Sequence, residues 1–179
     1  MANFREIVTK AVIGKGKKVF SNKYMLMPKE LPTTILGCWV INHKFKGTKL
    51  DDKILVEGSC DVNIWYSYDF DTKTIVSNET INYSEVVSIA RKKEANISDH
   101  EEIIVRSLKQ PTSTKVEIKD QVIVYDIEKE LGIEIVGDVK VRITVDDDED
   151  EWDEIIDEKE EDKILEKIDQ EVNENFIDE

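Results

Sequence analysis

"CDVNIWYSYDFDTKT", residues 60–74, is the stretch whose reading decides the fold. Alternation puts Val62, Ile64, Tyr66 and Tyr68 on one face and Asp61, Asn63, Trp65 and Ser67 on the other, a period of two that belongs to a strand and not to a helix. Asp69 to Thr72 then supply a polar turn into the next segment. So many rings and carboxylates in so short a run also suit a pocket or a reactive site. The aspartates, however, stand at the strand start and at the turn and do not converge on one point.

Outward from this stretch, the same texture runs from about Val19 to Val145: short β-branched and aromatic runs separated by turn residues. "VKVRITV" sets Val139, Val141, Ile143 and Val145 against Lys140, Arg142 and Thr144. "KVEIKDQVIVYDI" reads as two strands about Lys119-Asp120. "TTILGCWVINHKF", "LDDKILVEGSCDVNIWYSY" and "TKTIVSNETINYSEVVSI" supply the rest. Several strands with polar turns and no helical repeat between them predict an all-β domain, an antiparallel sandwich or barrel.

The N-terminus reads differently. Asn3 can cap a helix with Glu6 three residues on, and Phe4, Ile7, Val8, Ala11 and Val12 recur at spacings of three and four until Gly14 and Gly16. That pattern predicts a short amphipathic helix over residues 1–16. Its apolar stripe docks either on its own domain or on another subunit, where the neighbouring Lys15, Lys17 and Lys18 would help. Residues 17–145 form the β domain, and residues 146–179 an acidic tail.

Charge divides along the same lines. The chain has 179 residues and a net charge of −15, but residues 146–179 hold 19 acids and three lysines, which leaves 21 acids and 22 bases in the body. A neutral body with an acidic tail argues against nucleic acid, whose phosphates call for clustered Lys and Arg. It suits a solvated tail that meets a basic partner. Within the tail, Trp152, Ile155, Ile156, Ile164, Leu165, Ile168, Val172 and Phe176 fall at roughly helical spacing. Such a segment is helical on a partner or disordered when alone, having little apolar surface to offset the ordering entropy.

Motifs for chemistry fail one by one. Asp146, Asp148 and Asp150 match the first ligands of a calcium-binding EF-hand loop, but Glu151 stands where glycine is needed and Asp157 where a bidentate glutamate is expected. Zinc motifs set their ligands in close pairs, and Cys38 and His43 are the only close pair among the two cysteines and two histidines; nothing supports a Cys-His nucleophile with His43 or His100. Both cysteines read as small buried hydrophobes. "GKGKK" at residue 14 lacks the third glycine of a dinucleotide fingerprint and the Lys-Ser/Thr of a P-loop. No cofactor, metal or catalytic residue is therefore expected. No apolar run spans a membrane, and Arg5, Glu6 and Lys10 interrupt any secretory signal, so a soluble cytoplasmic protein is expected and triplets such as Asn78-Glu79-Thr80 and Asn96-Ile97-Ser98 are incidental.

The exact words of the strands carry more. "REIVTKAVIGKGKK" at Arg5, "ILGCWVINHKF" at Ile35, "VEGSCDVNIWYSYDFDTKT" at Val56 and "LKQPT" at Leu108, followed by an acidic tail containing a tryptophan, resemble the CotE family, the outer spore coat morphogenetic proteins of endospore-forming bacteria. INHK and NxWYSYxxxTKT are the most specific of these words. The resemblance implies a non-enzymatic scaffold, made in the mother-cell cytoplasm, that self-assembles around the forespore and recruits other spore coat or exosporium proteins. It implies self-association through the N-terminal part, here Phe4, Ile7, Val8 and Val12, and recruitment through the acidic end, here Trp152, Ile155 and Ile156. The alternative is a carbohydrate- or ligand-binding β-sandwich presenting Trp39, Trp65, Tyr66 and Tyr68.

Overall fold

The computed structural model describes residues 3–92 and 99–145. Residues 5–143 form one compact unit; Met1–Phe4 and Thr144–Glu179 group as a second, of which residues 3, 4, 144 and 145 are described. Six strands follow in order: β1 Asn3–Leu26, β2 Pro32–Leu50, β3 Lys53–Tyr68, β4 Lys73–Val87, β5 Glu101–Lys119 and β6 Val122–Val145. They make two three-stranded sheets, ordered β1-β6-β5 and β2-β3-β4. The expected all-β antiparallel architecture is present as a two-sheet sandwich.

The central strands explain the core. On β6 the residues from Ile123 to Val139 alternate without interruption between buried and half-buried, and β3 buries Ile54, Val56, Cys60, Val62, Ile64 and Tyr66, every second position but Gly58. Their inner faces meet in two apolar clusters. One joins Ile13, Phe20, Ile54, Val56, Tyr83 and Leu131 with their neighbours; the other joins Val62, Ile64, Tyr66, Ile123, Tyr125 and Ile127 with theirs. Each fully buried side chain of this size contributes roughly 1.5–3 kcal/mol. Of the four residues that alternation in "CDVNIWYSYDFDTKT" sets on one face, Val62, Ile64 and Tyr66 are buried and Tyr68 is half-buried.

Turns fall where the polar breaks stand. Lys119 pairs directly with Val122, and Asp120 and Gln121 both take positive φ, 49° and 69°, the two-residue turn whose twist matches a hairpin. Tyr68 pairs with Lys73 across Asp69–Thr72, where Asp69, Phe70 and Asp71 all have positive φ. That loop is held by the Ser67 hydroxyl donating to the Asp71 carboxylate, by Thr34 N–H donating to Ser67 Oγ at 3.1 Å, and by the Thr72 hydroxyl donating to the Asp69 carbonyl at 2.6 Å. The Ser67 and Thr34 donors hold the Asp71 carboxyl below its ordinary pKa.

The N-terminal helix is corrected. Residues 3–16 belong to β1, a strand of 24 residues, and the boundary expected at residue 16 lies inside it. Pairs of apolar residues at positions 7, 8, 11 and 12 satisfy a helical period, but they equally suit a strand with apolar side chains on both faces. Ile7, Val8, Thr9, Val12 and Ile13 are β-branched, which favours the strand. Antiparallel pairing to β6 settles the competition, because it satisfies the backbone groups of a long segment that a three-turn helix would leave frayed at both ends. The ion pairs Lys15–Glu134, Lys17–Glu130 and Glu6–Lys140 run in opposite senses along β1 and β6. Gly14 is not a stop: a Cβ there would lie 3.0 Å from the Ala90 carbonyl, where the chain after β4 crosses and Lys92 N–H donates to the Ile13 carbonyl at 2.8 Å. The tail expected over residues 146–179 lies outside the described residues.

β2 carries a bulge that explains one of the diagnostic words. Its register with β3 moves from Ile41↔Asp61 to Lys44↔Ser59, so Asn42 and His43 together oppose Cys60. Asn42 takes φ 55°, a conformation that asparagine tolerates and alanine does not. Its amide Nδ2 donates to Asp61 Oδ2 at 2.8 Å, and the Thr80 hydroxyl donates to Asp61 Oδ1 at 2.7 Å. Asn42→Ala is expected to lower stability by about 1–2 kcal/mol, measurable in urea unfolding; an unchanged midpoint would show that the bulge does not need the asparagine.

Candidate functional site

Two groups of exposed apolar side chains on the described surface bear on the expected sites. The first lies on β1, an edge strand with one side open before Ile13. At its start Phe4 is 52% exposed, and farther along Ile7, Val8 and Val12 are 40%, 63% and 42% exposed. Strand geometry separates the four residues expected to act together: Val8 and Val12 share one face, and Ile7 lies on the other, continuing the row of Ala11 and Ile13. Ala11 packs against the core, whereas Ile7 lies past its end. On the β6 side the same holds for Val141 and Ile143, both exposed beyond the last buried residue, Val139. Trp152, Ile155 and Ile156 lie outside the described residues.

The second lies on the outer face of β2-β3-β4. Trp39 and Trp65 are both exposed there, with Ile41 and Val76. Gly37 pairs with Trp65, and Trp65 with Val76. The Trp39 ring leans back over Gly37, with its Cζ3 at 3.3 Å from the position of a Cβ, on the face that also carries Trp65. Tyr66 is removed from the expected ring set, since it is fully buried between the sheets. Tyr68 instead lines an open hollow of about 630 Å³ beside the Asp69–Thr72 loop, with Leu31, Pro32, Phe70 and Lys73.

Inside the sandwich lies a polar group that reading the sequence did not single out. Lys129, on β6, is only 2% exposed, the most deeply buried charged residue among those described. Its Nζ donates to Asn22 Oδ1 at 3.1 Å, lies 3.7 Å from Glu85 Oε1, and sits over the Tyr83 ring at 3.8 Å and the Phe20 ring at 5.4 Å. Tyr83 continues the group through its hydroxyl, 2.7 Å from His43 Nε2. A signal was present: position 129 continues the inward parity of Ile123, Tyr125 and Ile127, so the alternation that predicts the strand also places a lysine in the core.

The family model described as Outer spore coat protein E (CotE) matches residues 3–175. The chain belongs to the CotE family. It is thus a member of a family of structural proteins of the outer spore coat. No curated protein and no solved structure matches the chain.

In this CotE-family chain the diagnostic words have structural reasons. INHK is the β2 bulge, and NxWYSYxxxTKT runs from the core of β3 through the left-handed loop into β4. The thiols are not primed for chemistry. Burial pushes the pKa of both Cys38 and Cys60 up, against a Ser113 hydrogen bond for the first and the Lys129 charge for the second, and both are free. Burial pushes His43 down, so its ring is neutral at neutral pH. His100 is exposed. Among the described residues no three His, Cys, Asp or Glu side chains gather as metal ligands, and no helix is long and apolar enough to cross a membrane.

Proposed function

We propose that this protein is a non-enzymatic morphogenetic scaffold, made in the mother-cell cytoplasm, that self-assembles at the forespore surface and recruits other outer coat or exosporium proteins. The observation that carries the reading is the CotE match over residues 3–175. Structure supports it at β1. An open edge strand carrying exposed Ile7, Val8 and Val12 offers unpaired backbone groups and apolar area to a second copy. Recruitment falls to the acidic end, where Trp152, Ile155 and Ile156 stand among carboxylates that would select a basic or polar partner. The two exposed tryptophans keep a second reading open, ligand binding on the outer face of β2-β3-β4, though without Tyr66.

The two roles separate in one experiment. Full-length protein is expected to form concentration-dependent oligomers in sedimentation, and a chain lacking residues 146–179 to do the same while capturing fewer coat proteins from sporulating cells. A strict monomer at high concentration removes the scaffold, and an unchanged capture removes the recruiting role of the tail.

A further inference from the structure

The geometry points to an intramolecular isopeptide bond between Lys129 Nζ and the side-chain carbonyl carbon of Asn22, formed with Glu85 as the proton-transferring group. Three strands bring these groups together: Asn22 from the first strand, Lys129 from the last, and Glu85 from β4 of the facing sheet. Lys129 Nζ already touches the Asn22 carboxamide oxygen at 3.1 Å, one bond from the carbon it would attack. Glu85 Oε1 lies 3.7 Å from the same nitrogen.

A buried lysine has a simpler role as half of an ion pair, but its surroundings suit an amine better than an ammonium. An ammonium placed between sheets loses its hydration and wants close anionic partners. Here the single carboxylate stands 3.7 Å away, beyond ordinary hydrogen-bond length, and the two aromatic faces, which attract a cation, offset only part of the lost hydration. Burial pushes the Lys129 pKa down, opposed by Glu85 and Cys60. A neutral amine has the lone pair that aminolysis needs. Carboxamides are ordinarily inert to amines, but two groups held in contact gain the effective concentration that makes slow reactions proceed.

The step balances without any added reagent. The Lys129 nitrogen lone pair adds to Asn22 Cγ, and Glu85 takes a proton from that nitrogen and passes one to the carboxamide nitrogen. The Cγ–Nδ2 bond then breaks, ammonia leaves, and a new amide joins the two side chains. Neither carbon nor nitrogen is oxidised or reduced, and the charge of Glu85 is restored. The bridge would tie the first strand to the last within one sheet, so that neither can peel away alone. In a shell component such a bond resists forces that a hydrogen-bonded ladder does not.

Mass spectrometry of the denatured full-length protein tests this. Wild type is expected to be lighter than its sequence by one ammonia, and trypsin to leave Lys129 uncut in a branched peptide that contains Asn22. Lys129→Met and Glu85→Gln, each shown to be folded by circular dichroism, are expected to have the full sequence mass and to melt about 10 °C lower, since a bond closing so long a loop constrains the unfolded chain strongly. Folded wild type at full mass, yielding separate peptides, overturns the bond. Ammonia loss that persists in Lys129→Met also overturns it, because that marks an imide at Asn22. A bridge that still forms completely in Glu85→Gln overturns the role of Glu85.

Discussion

Gly58→Ala is expected to cost about 3–5 kcal/mol of folding stability. Gly58 lies on the inward face of β3, between Val56 and Cys60 and opposite Tyr83. A Cβ there would run into the Tyr83 ring carbon Cζ and its hydroxyl, and would stand 2.6 Å from the Lys44 carbonyl. The carbonyl belongs to the backbone of β2 just past the bulge and has little room to yield. The tyrosine would therefore have to swing out. It would give up its 2.7 Å contact with His43 Nε2 and its place under Lys129, stranding the histidine nitrogen and removing one aromatic face from the buried cation. Overpacking alone costs about 1–3 kcal/mol, and a stranded buried polar group about as much again. Denaturant unfolding measures the sum, and Tyr83→Ala supplies the control. If the tyrosine is the obstacle, Gly58→Ala costs less in that background, with a coupling of about 1–3 kcal/mol. Equal costs in both backgrounds would shift the cause to the Lys44 carbonyl.

The same neighbourhood shows how much of the structure can be read in the sequence. Alternation from Val62 to Tyr66, the polar loop at Asp69–Thr72 and the turn after Lys119 were all legible, because each depends on residues adjacent in the chain. β1 was not. Its apolar residues at positions 7, 8, 11 and 12 fit a helix as well as a two-faced strand, and what decides between them is β6, more than a hundred residues away. Gly14 and Gly16 look like a helix stop until the segment after β4 is seen to pass close by Gly14. Asn22, Glu85 and Lys129 lie on three different strands, so no local pattern joins them. Only the inward parity of position 129 hints at a buried lysine. The INHK word was visible as a resemblance, and its physical reason, a bulge with a left-handed asparagine, came only with the register of β2 against β3.

Val8→Glu together with Val12→Glu is expected to weaken self-association at least tenfold while leaving the monomer as stable as the wild type. Both side chains sit on the same face of β1, 63% and 42% exposed, so a charged side chain there meets water in the monomer and should shift stability by no more than about 0.5 kcal/mol. In an assembly that pairs β1 with its equivalent in a second copy, the substitutions bring like charges together across the new ladder. They also remove apolar area at about 25 cal/mol per Å². A two-fold pairing would place both carboxylates of each copy in the contact, four in all, since a self-complementary interface presents every residue twice. A loss of at least 1.4 kcal/mol, the tenfold expected, is a modest demand on such a contact. Sedimentation velocity over a range of concentrations reads the association, and thermal unfolding of the same samples reads the monomer. Oligomers of undiminished strength would move self-assembly away from β1, leaving the tryptophan face of β2-β3-β4 as the next surface to charge, by Trp65→Glu. Weaker oligomers with an unchanged melting temperature would tie assembly to the strand that the local sequence pattern presents as a helix.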